Sequence, residues 1–333
     1  MNTPSPLPPR TVLITGCYGF IGTHVVRHWL QHTGYRVIGL DALTYAARPH
    51  FLRGFLLDNP TLAARFTEVI ADIRDAAAVG RVMRQYAITD VIHLAAESHV
   101  CRSIQGPKAF YETNVMGTFN LIDEFAYQPY RRRFLHVSTD EVFGELGMDS
   151  GKFDENWKLQ PRSPYAASKA AAEHVVRSHA LTYDIDTIIT NCTNNFGPYQ
   201  HEEKLIPKTV SHLLKGERPK LYGSGLQVRD WLHVDDHANG LLLAFEKGEK
   251  GHTYCFGGGV EKTNQQMIRN ICEILEKPFD PIYTDDRPTD DTRYAINYSK
   301  ARDQLGWTPC SMGVWWGRLK QTVHVAAALM VNS

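Results

Sequence analysis

The feature that most restricts what this chain can fold into is the segment TVLITGCYGFIGTHVVRHWLQH, residues 11–32. A short β-branched run, 11–15, leads into glycines at 16, 19 and 22. Phe20, Ile21, Val25, Trp29 and Leu30 then follow at helical spacing. In a strand–loop–helix unit the first glycine permits a tight turn. The second lets backbone approach a pyrophosphate, and the third lets helix and strand pack closely. The helix start adds unpaired N–H groups and a positive partial charge. Gly16, Gly19 and Gly22, with Phe20 and Ile21 between them, therefore read as a dinucleotide-phosphate loop. A second strand, YRVIGLD (35–41), ends on Asp41, about 20 residues further on. A carboxylate there accepts from ribose hydroxyls and repels a 2′-phosphate, which selects NAD over NADP. Asp72 and Ile73, ending the next strand, are placed at the adenine.

Strand-like runs recur at 66–72, 90–96, 132–139 and 186–193, each after a helical pattern. Nearly continuous apolar strands suit a parallel sheet covered on both faces. The repeated β-α-β order implies an α/β, doubly wound fold. After residue 193 the pattern loosens into turn residues, aromatics and charges, which predicts a smaller, interleaved C-terminal domain. The expected division is 10–192 with a returning segment 229–256 for the dinucleotide domain, and 193–228 with 257–333 for the second. Residues 1–9, Pro-rich, read as a flexible leader.

Lys plus Arg and Asp plus Glu are both 36, so the balanced charge gives no basic footprint for nucleic acid or an anionic membrane. No apolar run approaches the roughly 20 residues that span a bilayer. The six cysteines form no C-x-x-C pair, so neither a metal site nor a disulfide framework is expected. A reduced, cytoplasmic setting is.

Two further motifs carry chemistry. The strand at 132–139 runs into STDEVFG (138–144), which puts Asp140 and Glu141 side by side. SPYAASK (163–169) opens a helix in which Tyr165 and Lys169, four apart, share a face. An ammonium beside a phenol favours the phenolate, which can take a hydroxyl proton while hydride leaves the same carbon. With LAAESHV (94–100), NCTNNFGPYQ (191–200), EKLIP (203–207), GLQVRDWLHVDDHA (225–238) and DRPTDDTRYAI (286–296), these motifs resemble, in order, the nucleotide-sugar 4,6-dehydratases. That family belongs to the extended short-chain dehydrogenases, which have a Rossmann-type sheet.

The resemblance implies an enzyme with tightly bound NAD that makes a 4-keto-6-deoxy sugar from a nucleotide hexose, dTDP-glucose first among the candidates. Tyr165 would take the C4 hydroxyl proton, assisted by Lys169, and Thr139 would bind the C4 oxygen. Glu141 would remove the C5 hydrogen, and Asp140 would protonate the departing C6 hydroxyl. Thr44, Leu94, Ala95, Ala96 and Ser138 would complete the NAD site. His99, Asn194, Lys204, Leu205, Tyr222, Arg229, Asn264 and Arg287 would bind the nucleotide sugar. A homodimer through helices at 108–127 and 165–183 is also implied. The chain departs from the family pattern at Cys101, Phe143, YQHEEKLIP (199–207) and Asp290. A GDP- or UDP-linked sugar, or an N-acetylglucosamine, therefore stays open as substrate. A 4-epimerase, a decarboxylase and a non-catalytic binding protein are the competing readings. The adjacent acids argue against the first two, and the intact reactive positions argue against the third.

Overall fold

The computed structural model describes residues 8–285 and 291–331. Its strands are β1 (Thr11–Thr15), β2 (Arg36–Asp41), β3 (Phe66–Ile70), β4 (Asp90–His93), β5 (Arg133–Thr139), β6 (Asp186–Cys192), β7 (Asn194–Phe196), β8 (Lys220–Tyr222), β9 (Val228–His233), β10 (Thr253–Phe256), β11 (Glu261–Thr263) and β12 (Ile282–Thr284). Seven of them form one sheet in the order β10-β6-β5-β4-β1-β2-β3. The pairs from β5 across to β3 are parallel. Strand order reverses between β1 and β4, so their C-terminal ends flank the crevice where such sheets bind ligands.

The chain divides into two compact units. The first runs to Ser138 and adds Ser163–Thr190 and Ala244–Thr253; the second holds Thr139–Arg162, Asn191–Leu243 and the chain from Tyr254. The first is built around Leu13, Ile38, Val91, Leu121, Phe125, Phe134 and Ile189, all buried. The second packs Phe196, Ile206, Val210, Trp231, Ile268, Trp315 and Leu319. β5 passes from one unit to the other between Ser138 and Thr139.

Two boundaries differ from the sequence expectation. Residues 139–162 lie with the second unit, because their backbone bonds to it: Leu146 and Phe153 N–H donate to the carbonyls of Arg293 and Ala295. The returning segment 229–256 also divides. β9 pairs with β7 and β11 in a separate three-stranded sheet, and within this segment the return to the first unit is Ala244–Thr253.

The segment 108–127 is not one regular helix. Pro107–Phe110 leads through a π-helical stretch, Tyr111–Met116, into Gly117–Ala126. Asn114, inside the stretch, bonds both the N–H and the carbonyl of Glu97 and donates to Ser168 Oγ at 2.9 Å. Such bulges commonly mark functional positions.

Candidate active site

The loop after β1 is closed by backbone contact. Gly16 has φ +71°, and a Cβ there would lie 2.9 Å from Ala95 Cα and N. A Cβ on Gly22 would meet Gly16 O at 1.9 Å, so an alanine cannot enter without moving the turn. Gly19 caps the helix Phe20–His32 in an extended conformation with no side-chain cap bond, leaving the first N–H groups to an anion. Asp41 is buried. Its Oδ2 accepts from Tyr18 N–H at 2.9 Å and its Oδ1 from Leu43 N–H at 2.8 Å. Burial pushes its carboxyl up and the two N–H bonds oppose this. Each oxygen keeps lone-pair capacity for a hydroxyl. Glycine turn, uncapped helix and fixed acid together fit a dinucleotide.

The other predicted cofactor residues divide. Leu94 and Ala95 N–H both donate to Thr15 Oγ1 at 3.2 Å, which fixes the loop through Ala96 against β1. Thr44 is exposed beyond Asp41. Asp72 Oδ2 accepts from both Nε and Nη2 of Arg74, at 2.9 and 2.7 Å, and its Oδ1 accepts Arg74 N–H. Ile73 is a core residue, packed with Leu13 and Ile38, while its carbonyl accepts from Asn120.

Ser163 caps the helix Pro164–Tyr183, accepting from Ala166 N–H. This sets Tyr165 and Lys169 in its first turns, both buried. Lys169 Nζ donates to Val137 O of β5 at 2.8 Å. Beneath it, His93 and His136 pair across β4 and β5 with ring centroids 5.2 Å apart. Burial first, then Lys169, drives both imidazoles well below their ordinary pKa, so both are neutral.

At the end of β5, Thr139 caps a 3-10 turn, Asp140–Phe143. Its Oγ1 accepts Glu141 N–H and donates to Asp140 Oδ1, both at 3.3 Å. Asn191 Nδ2 holds the Thr139 carbonyl at 3.0 Å. Asp140 is 2% exposed and its Oδ2 has no hydrogen-bond partner among the described residues. Burial first, then the charges of Glu141 and Asp230, hold its carboxyl well above the usual range against Arg229 and Thr139. Glu141, beside it, is less buried.

Arg229 is buried on β9, with Nη1 donating to Val228 O and Asp291 O at 2.8 and 2.9 Å. Asn264 starts a helix after β11, where Thr263 pairs with Val228, so it sits one residue past the Arg229 ladder. Lys204 is the N-cap of the helix Leu205–Leu214, Leu205 packs on the second core, and Lys208 Nζ lies 5.8 Å over the Tyr222 ring. Asn194 begins β7. His99 caps a short helix in the first unit, with Cys101 half-buried on it. Phe143 packs on Phe153 at 5.2 Å. Arg287 and Asp290 lie outside the described residues. Tyr294, within a quoted motif but not singled out there, proves to stack on Arg229 with 4.7 Å between guanidinium and ring centroid.

Residues 13–312 match the family described as GDP-mannose 4,6 dehydratase. The chain belongs to this family. Among its relatives in the family, the dTDP-glucose 4,6-dehydratase of Neisseria meningitidis serogroup B is 44% identical over 320 residues, 90% of this chain and 89% of the relative. The enzyme of the same name from Xanthomonas campestris is 45% identical over 317 residues, 90% of this chain and 88% of the relative. The solved structure of DesIV, a dTDP-glucose 4,6-dehydratase from Streptomyces venezuelae with NAD bound, superposes with TM-score 0.88 at 41% identity, covering 95% of this chain and 96% of that one. The UDP-glucose 4-epimerase of Thermotoga maritima has TM-score 0.86 at 27% identity, covering 96% and 99%. The fold is therefore shared with epimerases, whereas the higher identity is to dehydratases.

Proposed function

We propose that the chain is an NAD-dependent 4,6-dehydratase whose substrate is dTDP-glucose. The observation that carries the reaction is the buried Asp140 beside Glu141 at the end of β5, its carboxyl held well above the usual range by burial and by its acidic neighbours. Elimination needs one acid and one base, and two carboxyls in different environments titrate apart. The base and sugar follow from 41–45% identity to dTDP-glucose enzymes over 90% of the chain.

Gly16, Gly19, Gly22 and Asp41 would hold NAD, which would supply a hydride acceptor for C4 and the hydride donor for C6. Tyr165 accepts the C4 hydroxyl proton, with Lys169 stabilising the phenolate, and Thr139 holds the C4 oxygen. Glu141 removes the C5 hydrogen made acidic by the C4 ketone and gives a proton back to C5 when C6 is reduced. Asp140 protonates the leaving C6 hydroxyl. Arg229, Lys204 and Asn264 hold the nucleotide diphosphate in the second unit, and the first unit holds NAD.

The chain works as a homodimer in the cytoplasm. Met116, Phe119 and Tyr127, with Leu181 and Tyr183, expose apolar surface on two neighbouring helices. The described cysteines are all free thiols. A monomer mass by light scattering at micromolar concentration would refute the dimer.

The test of function is a mass-spectrometric turnover panel without added reductant: dTDP-glucose, UDP-glucose, GDP-mannose, CDP-glucose, UDP-GlcNAc and GDP-GlcNAc. Loss of one water from dTDP-glucose alone is the expected result. Loss of water only from a GDP sugar would favour the reading that the family description suggests. Epimerisation without mass change would overturn dehydration.

A further inference from the structure

The segment Asp291–Tyr294 does more than follow the substrate motif. Its backbone joins β9, with Val228 N–H donating to Thr292 O at 2.8 Å and Tyr294 N–H to Val228 O at 3.1 Å. Its side chains form a closed set. The Tyr294 phenol donates to Asp291 Oδ2. Asp291 Oδ1 lies 2.8 Å from Arg162 Nη1, which also pairs with Glu145. Glu145 Oε1 in turn accepts Thr292 N–H at 2.7 Å and Thr292 Oγ1 at 2.6 Å. Both Asp291 and Tyr294 are buried. Burial first, then the charges of Glu141 and Asp291, pushes the phenol well above its usual range, so it stays a donor.

Arg229 depends on this set twice. One Nη1 bond goes to the Asp291 carbonyl, and its guanidinium lies over the Tyr294 ring. A planar guanidinium binds a diphosphate well only when its fork is correctly aimed. The stack and the carbonyl fix that aim before the ligand arrives, which lowers the ordering cost of binding.

We infer that Tyr294, locked by Asp291 and Arg162, is a positioning residue that aims Arg229 at the nucleotide diphosphate. The inference rests on the dehydratase reading for the role of Arg229. Tyr294→Phe keeps the ring but loses the bond that orients it; Tyr294→Leu loses the stack as well.

The experiment is a double-mutant cycle with Arg229→Lys, read as the Kd of dTDP, UDP and GDP by calorimetry on the NAD-loaded protein. Tyr294→Phe is expected to weaken the nucleotide that the wild type binds by about ten-fold, and Tyr294→Leu by more. In the Arg229→Lys background both Tyr294 changes should cost less than two-fold, because the group they aim is gone. Penalties that simply add would overturn the inference, since Tyr294 would then act on the ligand or the fold by itself. Unchanged binding in Tyr294→Phe would overturn it too. Should Tyr294→Leu fail to fold, the Phe cycle decides alone. If the wild type bound no nucleoside diphosphate, the dehydratase reading would fail and take this inference with it.

Discussion

Asp140→Asn separates what the acid does for the reaction from what it costs the fold. The wild-type carboxyl is buried, with one oxygen bonded to Thr139 at 3.3 Å and the other without a hydrogen-bond partner among the described residues. Asparagine has nearly the same shape as the protonated acid and no charge to desolvate. The variant therefore breaks no ion pair and leaves no orphaned charge. As a general acid, Asp140 should contribute about 10²–10⁴ in rate. Turnover is expected to fall by that factor, while C4 oxidation and C5 deprotonation continue. In D2O the recovered substrate should gain one deuterium at C5 without losing water. Stability should move the other way. The folded pKa of Asp140 is raised above the unfolded value near 3.8, so the native state binds the proton more tightly. The stability this contributes is complete below pH 3.8 and is lost as pH rises through the folded pKa. Asparagine avoids that loss, so the Tm of the variant should exceed wild type at pH 8, with the gain shrinking toward pH 4. Wild-type turnover in Asp140→Asn, or a variant relatively less stable at pH 8 than at pH 4, would refute the assignment of a buried general acid with a raised pKa.

The remaining predictions are shorter. Glu141→Gln should abolish both water loss and C5 deuterium uptake, since the base is gone; uptake at the wild-type rate would assign the base elsewhere. Lys169→Met removes the ammonium bonded to Val137 O. It should lower kcat by about 10²–10⁴ and move the acidic limb of its pH profile upward, because the phenolate loses its stabilising charge. Gly22→Ala drives a Cβ into Gly16 O and should release NAD on gel filtration, which absorbance at 260 nm measures.

Most of this architecture was legible because its strongest determinants are local. The glycines at 16 and 22 interlock backbone against backbone, so their spacing alone specifies the turn. Tyr165 and Lys169 share a face by helical geometry, and Asp140 follows β5 by chain order. The direction of the Ile73 side chain was not legible. A strand-end residue can turn its side chain to the ligand or to the core, and only the packing of Leu13 and Ile38 decides which. The domain limits were misplaced because β9 reads as another sheet strand by its residues. Its partners β7 and β11 lie about 30 residues away on either side, and no local signal says which sheet it joins.

Tyr294 was passed over for a related reason. Nothing in RYAI distinguishes a packing tyrosine from one that stacks on Arg229, which is 65 residues away. The meaning comes from a ring of contacts through Asp291, Arg162, Glu145 and Thr292, drawn from three distant stretches of chain. The proposed reacting groups are short-range in sequence because each sits at a fixed offset from one strand or helix end. The contacts that hold a residue such as Arg229 are long-range, since rigidity in a buried site comes from closing loops of contacts between elements. A single sequence therefore exposes the chemistry of such a site before it exposes what holds that chemistry in register.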